Sequence, residues 1–168
     1  GEVSAIVDPL EWDVSSANDI NNENIVVGSA NKRFNGNARN RMFIFDYNTK
    51  TVTYPNGFFS SSGTTPLAIN ENNMIVGSAE VIPEDSTTRR QVAFLYNMED
   101  QSMVDLNTLL PCGADFDLVE AKDINSNNEI ILAKLENVIS IPLQSVFKEN
   151  GIKYVYLKTP EGSRKQEI

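Results

Sequence analysis

Apolar residues along the chain fall in short runs set between polar turns, and no stretch carries the 3.6-residue spacing of an amphipathic helix. Three stretches repeat one pattern: DINNENIVVGSA at 19–30, AINENNMIVGSAE at 68–80 and DINSNNEIILAK at 123–134. Ile20, Ile69 and Ile124 align, and each precedes an asparagine: Asn21, Asn70 and Asn125. A short polar run follows, then an apolar triplet: Ile25-Val26-Val27, Met74-Ile75-Val76 and Ile130-Ile131-Leu132. The polar step predicts a tight turn and the triplet a strand buried on both faces. Gly28-Ser29-Ala30 and Gly77-Ser78-Ala79 then let neighbouring backbones approach.

A second echo lies between the phrases. RMFIFDYNTKTVTY at 41–54 parallels VAFLYNMEDQSMVD at 92–105, each reading as an aromatic-rich strand, a polar turn and a short strand. Asn and Asp are expected to form those turns, because their side chains bond the local backbone and they tolerate left-handed dihedrals. The phrases recur at spacings of 49 and 55 residues, inside the range of propeller and solenoid repeats. The expected fold is therefore all-β: propeller-like blades or a related β-repeat module, with C-terminal β-strands. The units lie near 17–55, 66–106 and 119–134 of a module covering 1–134. Ile20, Ile69 and Ile124 should be buried, with Asn21, Asn70 and Asn125 bonding backbone at the turns.

Composition shifts at the tail. Residues 131–168 hold six Lys or Arg against four Glu, and asparagine becomes rare, so 135–168 forms a separate C-terminal β segment. Strands are expected at 138–141 and 152–157. Two full units and part of a third are too few to close a propeller, and open arrays leave strand edges that template association. A tail strand is expected to pair with a repeat strand and cover such an edge; failing that, self-association through strand edges is expected.

Charge and chemistry narrow the function. The net charge of −9 disfavours phosphate backbones, so nucleic acid is not an expected partner. No apolar run reaches the length of a membrane span. The chain has no histidine and one cysteine, Cys112, which removes Ser-His-Asp, Cys-His and structural zinc sites from this chain alone. No nucleophile elbow, dinucleotide fingerprint or P-loop is present, so no cofactor is expected. The asparagine phrases offer oxygen at alternate positions, Asp19, Asn21 and Glu23, and Asp123, Asn125, Asn127 and Glu129, as calcium loops do. Both lack the distal carboxylate of such a loop, and the preferred reading is a turn capping its own backbone. Arg33, Arg39 and Arg41 in a loop at 31–41, with Phe58 and Phe59 in a Gly/Ser/Pro-rich stretch, are the candidate ligand surface for an anionic or sugar ligand. Adjacent carboxylates such as Glu84-Asp85 have no catalytic spacing.

Residues 13–134 resemble the HAF-type repeat family of bacterial extracytoplasmic proteins. That hallmark is similar to A-x-x-I-N-x-x-G-x-I-V-G followed by A-F-L-Y/W and M-x-D-L, matched here by 17–28, by 68–77 with 93–106, and by 121–133. Its usual glycine is replaced by Asn24, Asn73 and Asn128, which also adopt positive φ. The resemblance implies a propeller-like envelope protein, periplasmic or extracellular, with no established activity. Residues 138–168 resemble the C-terminal β-elements of periplasmic adaptor proteins of efflux pumps, through Val138, Ile141, Pro142, Ser145, Val146, Gly151, Val155 and Tyr156. The expected function is a non-catalytic binding or structural module in the bacterial envelope, with a protein or glycan partner. The alternatives are a fragment of a transport assembly and, third, a carboxylate-dependent glycan hydrolase.

Overall fold

The computed structural model describes residues 5–8, 10–34, 37–59, 62–83, 87–112, 114–136, 147–149, 152–159 and 162–167. These residues form several antiparallel sheets, none of them closed. In the first unit, β1 (Val14–Ile20), β2 (Ile25–Phe34), β3 (Asn37–Asp46) and β4 (Thr51–Thr53) lie in that order in one sheet. The second unit repeats the arrangement with β5 (Thr64–Ile69), β6 (Met74–Val81), β7 (Arg90–Asn97) and β8 (Ser102–Asp105). A 3-10 turn at Leu106–Leu109, capped by the Asp105 carboxylate on Asn107 N, leads to β9 (Asp117–Ile124) and β10 (Ile130–Glu136), which pair as a two-stranded sheet.

The repeat extends to backbone irregularities. The pairing of the first two strands skips Asn18 in unit one, Leu67 in unit two and Lys122 in unit three. Each skipped residue lies two before the phrase isoleucine, so all three units bulge at one place and bend alike. Asn24, Asn73 and Asn128 take φ of 64°, 57° and 63° in the following turn. In the β3–β4 and β7–β8 hairpins the expectation needs correction. The left-handed positions are Lys50 and Gln101, whereas Asp46 and Asn97 act through their side chains, accepting from Asn48 N and Glu99 N.

The third phrase is offset by one residue from the register expected. Ile20 pairs with Val26, Ile69 with Ile75, and Ile124 with Ile130. Ile130 and Ile131 thus occupy the places of Val26 and Val27, and Leu132 falls in the slot of Gly28 and Gly77. That slot has no room for a side chain in the first two units. A Cβ on Gly77 would meet the Thr65 carbonyl, and one on Gly28 would meet the Ser16 carbonyl and the Phe43 ring. In the third unit, with Leu132 there, the ladder slips again immediately afterwards.

Two apolar seams join the units. Ile25, Val27, Met42 and Ile44 of unit one meet Ile69, Ile75, Ala79, Phe94 and Tyr96 of unit two. One step along, Val76, Ala68, Ala93 and Leu106 meet Leu118, Ala121 and Ile124. Alternate residues of one strand therefore serve opposite seams: Ile75 faces back and Val76 forward, as the period of two requires. Val26, Ala30 and Phe43, on the backward side of unit one, are covered by Val7 with Ile6 and Trp12. That segment does not cover β1. Ile69 and Ile124 are each 5% exposed, as expected, but Ile20 is 56% exposed, because among the described residues no unit packs against it as unit one packs against Ile69.

The chain divides into two compact units, Gly1–Asn137 and Val138–Ile168. In the second, β11 (Phe147–Glu149), β12 (Ile152–Thr159) and β13 (Gly162–Glu167) form one sheet with β12 central. The described ladder partners of β12, where 152–157 was expected to pair with a repeat strand, are β11 along Ile152–Tyr154 and β13 along Tyr154–Thr159. The other strand expected to pair, 138–141, lies outside the described residues.

Candidate functional site

The polar turns are connected from one unit to the next. Asn21 Oδ1 accepts from Glu23 N and Ile25 N, closing its own turn. Its Nδ2 crosses to the next unit and donates to Asn70 O at 3.2 Å and Asn73 Oδ1 at 2.8 Å. Asn70 repeats both roles. Its Oδ1 accepts from Asn72 N and Met74 N, and its Nδ2 donates to Asn125 O at 2.9 Å and Asn128 Oδ1 at 2.7 Å. Asn21 and Asn70 are buried, as amides with all their hydrogen bonds made can be. Asn125 ends the series: its Oδ1 closes the turn through Asn127 N and Glu129 N, while its Nδ2 folds back to Glu129 Oε2 at 2.6 Å. The left-handed asparagines thus do more than the glycines of the resembled hallmark could, since Asn73 and Asn128 supply the acceptors for the preceding unit.

This arrangement engages the oxygens considered for calcium. Asp19 accepts from Ile20 N and, across the seam, from Ile69 N. Glu23 accepts from Asn73 Nδ2, Asp123 from Ile124 N and Glu129 from Asn125 Nδ2. Asn127 is exposed, and its backbone N–H bonds Asn125. Among the described residues no group of three or more His, Cys, Asp or Glu could hold a metal ion.

The concave surfaces lie away from these turns. A groove of about 450 Å³ runs between the first two units, lined by Ile44, Thr53, Tyr54, Asn56, Tyr96 and Gln101 among others. The Tyr54 hydroxyl accepts from Trp12 Nε1 at 3.0 Å, and the two rings stand 5.2 Å apart. The Arg41 guanidinium lies over the Tyr54 ring, 5.8 Å from its centroid, and donates to Tyr54 O. Burial is the main cause raising the Tyr54 and Tyr96 phenols above their ordinary range, so both stay neutral hydrogen-bonding groups at physiological pH. A second, more apolar groove of about 670 Å³ is lined by Phe58, Phe59, Val81, Ile82 and Met103 among others. There Phe59 carries the Arg89 guanidinium 5.0 Å from its centroid, and Arg89 pairs with Glu80 at 2.7 Å.

The ligand surface read from the sequence is therefore divided. Arg41 bonds Tyr54 O and Asn56 Oδ1, two residues of the first groove, whereas Phe58 and Phe59 line the second, and Phe58 also packs on the first seam. Arg33 and Arg39 lie on the β2–β3 hairpin, where Arg33 pairs with Ala38 and Arg39 with Lys32. Sequence reasoning missed Tyr54, Asn56, Tyr96 and Gln101. Their signal was the equivalence of the two aromatic hairpins, whose residues Thr53 to Asn56 in one unit and Tyr96 and Gln101 in the next line one groove.

Residues 1–140 match the model of a family described as Protein of unknown function (DUF3466). No curated protein and no solved structure matches the chain.

Proposed function

The chain belongs to the DUF3466 family, and since membership brings no activity with it, we propose from geometry that it is a non-catalytic β-repeat module. Its units follow one another in the manner of propeller blades, and it serves in the bacterial envelope, periplasmic or extracellular, by holding a glycan or protein partner. The observation that carries this reading is the groove between the first two units. Tyr54 gives it aromatic surface beside the buried Tyr96, and Asn56, Gln101 and Thr53 supply amide and hydroxyl groups. Aromatic faces stacked on sugar rings, with amides bonding the hydroxyls, are the chemistry that holds a glycan without reacting with it. The asparagines of the turns are committed to the scaffold, which supports a structural rather than catalytic role for the phrase. The compartment rests on the HAF-type resemblance.

Isothermal titration against a panel of envelope oligosaccharides tests the glycan reading. Binding is expected, weakened at least tenfold by Gln101→Ala or Asn56→Ala. Hydrolysis of a panel member, abolished by one Asp or Glu substitution, would overturn it. The transport-assembly reading draws on one observation, the self-contained sheet β11–β13, and recovery of an inner-membrane pump from an envelope pull-down would favour it.

A further inference from the structure

We propose that the open side of β1 is a docking surface for the third repeat unit of a second copy of this chain, joined head to tail through the β1 part of the contacts that join units within the chain; Val26, Ala30 and Phe43, behind β2 and β3, are already covered by Val7, Ile6 and Trp12. This does not depend on the glycan reading.

The template is repeated twice within the molecule. β5 packs against β1, β2 and β3 of the unit before it, and β9 against β5, β6 and β7. Both strands are largely buried by that contact, whereas six of the seven residues of β1 are exposed. The clearest comparison is the phrase isoleucine. Ile69 shares a seam with Val27, and Ile124 with Val76, while Ile20 is 56% exposed. The forward side of the third unit has the matching deficit. Ile131 occupies the register place of Val27 and Val76, which are fully buried, yet it is 60% exposed. Seating Ile20 of one copy on Ile131 of another repeats the isoleucine contact of the seam.

The polar groups specify the same register. Asn70 O and Asn73 Oδ1 each receive Asn21 Nδ2, and Asn125 O and Asn128 Oδ1 each receive Asn70 Nδ2. Asn21 O and Asn24 Oδ1 hold the corresponding acceptor positions on β1's side. At the other end, Asn125 Nδ2 is the corresponding donor, turned back on Glu129 of its own turn. Docking redirects that donor to Asn21 O and Asn24 Oδ1 of the partner copy. The turn positions that then face each other are Ser126 and Asn127 against Asn22 and Asn24, all uncharged. One pair opposes docking. Asp19 reaches Ile69 N where unit two has Ala68, but the new seam brings Asp123 against Asp19. Salt that screens this pair strengthens association. Because the contact is heterologous, the assembly grows as a chain or closes as a ring.

Sedimentation of the full chain from 1 μM to 1 mM is the test. The weight-average mass is expected to rise with concentration, more steeply in 0.5 M than in 0.05 M NaCl. Ile20→Glu and Ile131→Glu change exposed side chains and are expected to fold, as circular dichroism checks, and each alone remains a monomer. Mixed in equal amounts they form a dimer and stop there, since each keeps one working end. A wild type that stays monomeric throughout the range overturns the proposal and leaves β1 to a covering unit other than a second copy. Association that neither variant weakens, or a mixture that grows past the dimer, overturns it as well.

Discussion

Replacing Asn70 by alanine is expected to destabilise the repeat module far more than the same change at Asn125. Asn70 is 4% exposed and its side chain makes four hydrogen bonds, two within its turn and two to the third unit. A net contribution of about 1 kcal/mol per bond gives about 4 kcal/mol. Asn125 and Asn128 are exposed, so water replaces part of what they lose, leaving about 3 kcal/mol. For a unit of 137 residues that lowers Tm by about 10 °C. Asn125 is exposed and makes no bond to a further unit among the described residues, so Asn125→Ala costs about 1 kcal/mol. Asn70→Asp separates turn closure from the crossing bonds. The carboxylate still accepts from Asn72 N and Met74 N, but its other oxygen faces Asn125 O and Asn128 Oδ1, two acceptors. The repulsion raises its folded-state pKa, so this variant is at least as unstable as Asn70→Ala at pH 7 and recovers as pH falls and the acid can donate. Thermal melts of the three variants from pH 3 to 8 decide the matter. Equal losses for Asn70→Ala and Asn125→Ala, or an Asn70→Asp as stable as wild type at pH 7, would refute the reasoning.

Gly77→Ala places a methyl against the Thr65 carbonyl and beside the Phe94 ring, and is expected to cost about 3 kcal/mol in chemical denaturation; a loss below about 1 kcal/mol would show that the strands can part without penalty. Asp46 accepts from Asn48 N, which holds its carboxyl below the usual carboxylate range. The stabilisation is thus present above about pH 4, the unfolded value, and lost as pH falls through the lower folded one. Melting curves of Asp46→Ala and wild type should converge in acid, and a gap that widens there contradicts the assignment. Melts in 5 mM calcium and in chelator should coincide, since the phrase oxygens already accept from backbone and side-chain N–H groups; an upward shift in calcium would show that they exchange those donors for a cation.

The strands and turns of the repeat were legible because each rests on local pattern. An isoleucine, an asparagine, a polar run and an apolar triplet dictate turn then strand whatever surrounds them. The one-residue offset in the third phrase was not legible, because the triplet reads alike in either register and only pairing to β9 fixes it. Ile20 shows a second limit. Its own sequence matches Ile69 and Ile124, and its burial depends on whether a unit lies behind it. The candidate grooves were harder still. Tyr54 and Tyr96 are 42 positions apart and meet only when one sheet lies against another, so their chemistry is a product of stacking. The crossing bonds of Asn21 and Asn70 have the same origin: turn closure could be read from one phrase, whereas the second half of each amide has meaning only in the presence of its neighbour.

That division of labour within each asparagine bears on how the chain is made. The oxygen of Asn21 needs only residues up to Ile25, but its amide nitrogen finds partners first at Asn70 and Asn73. A nascent chain leaving the ribosome can therefore close each turn at once and hold an unfilled donor until the following unit emerges. Each completed unit offers a template on which the next first strand can be laid down as the chain emerges. A pause in synthesis between units would strand a half-made seam with its apolar side open, and that is the moment at which such a chain is most exposed to capture by a chaperone.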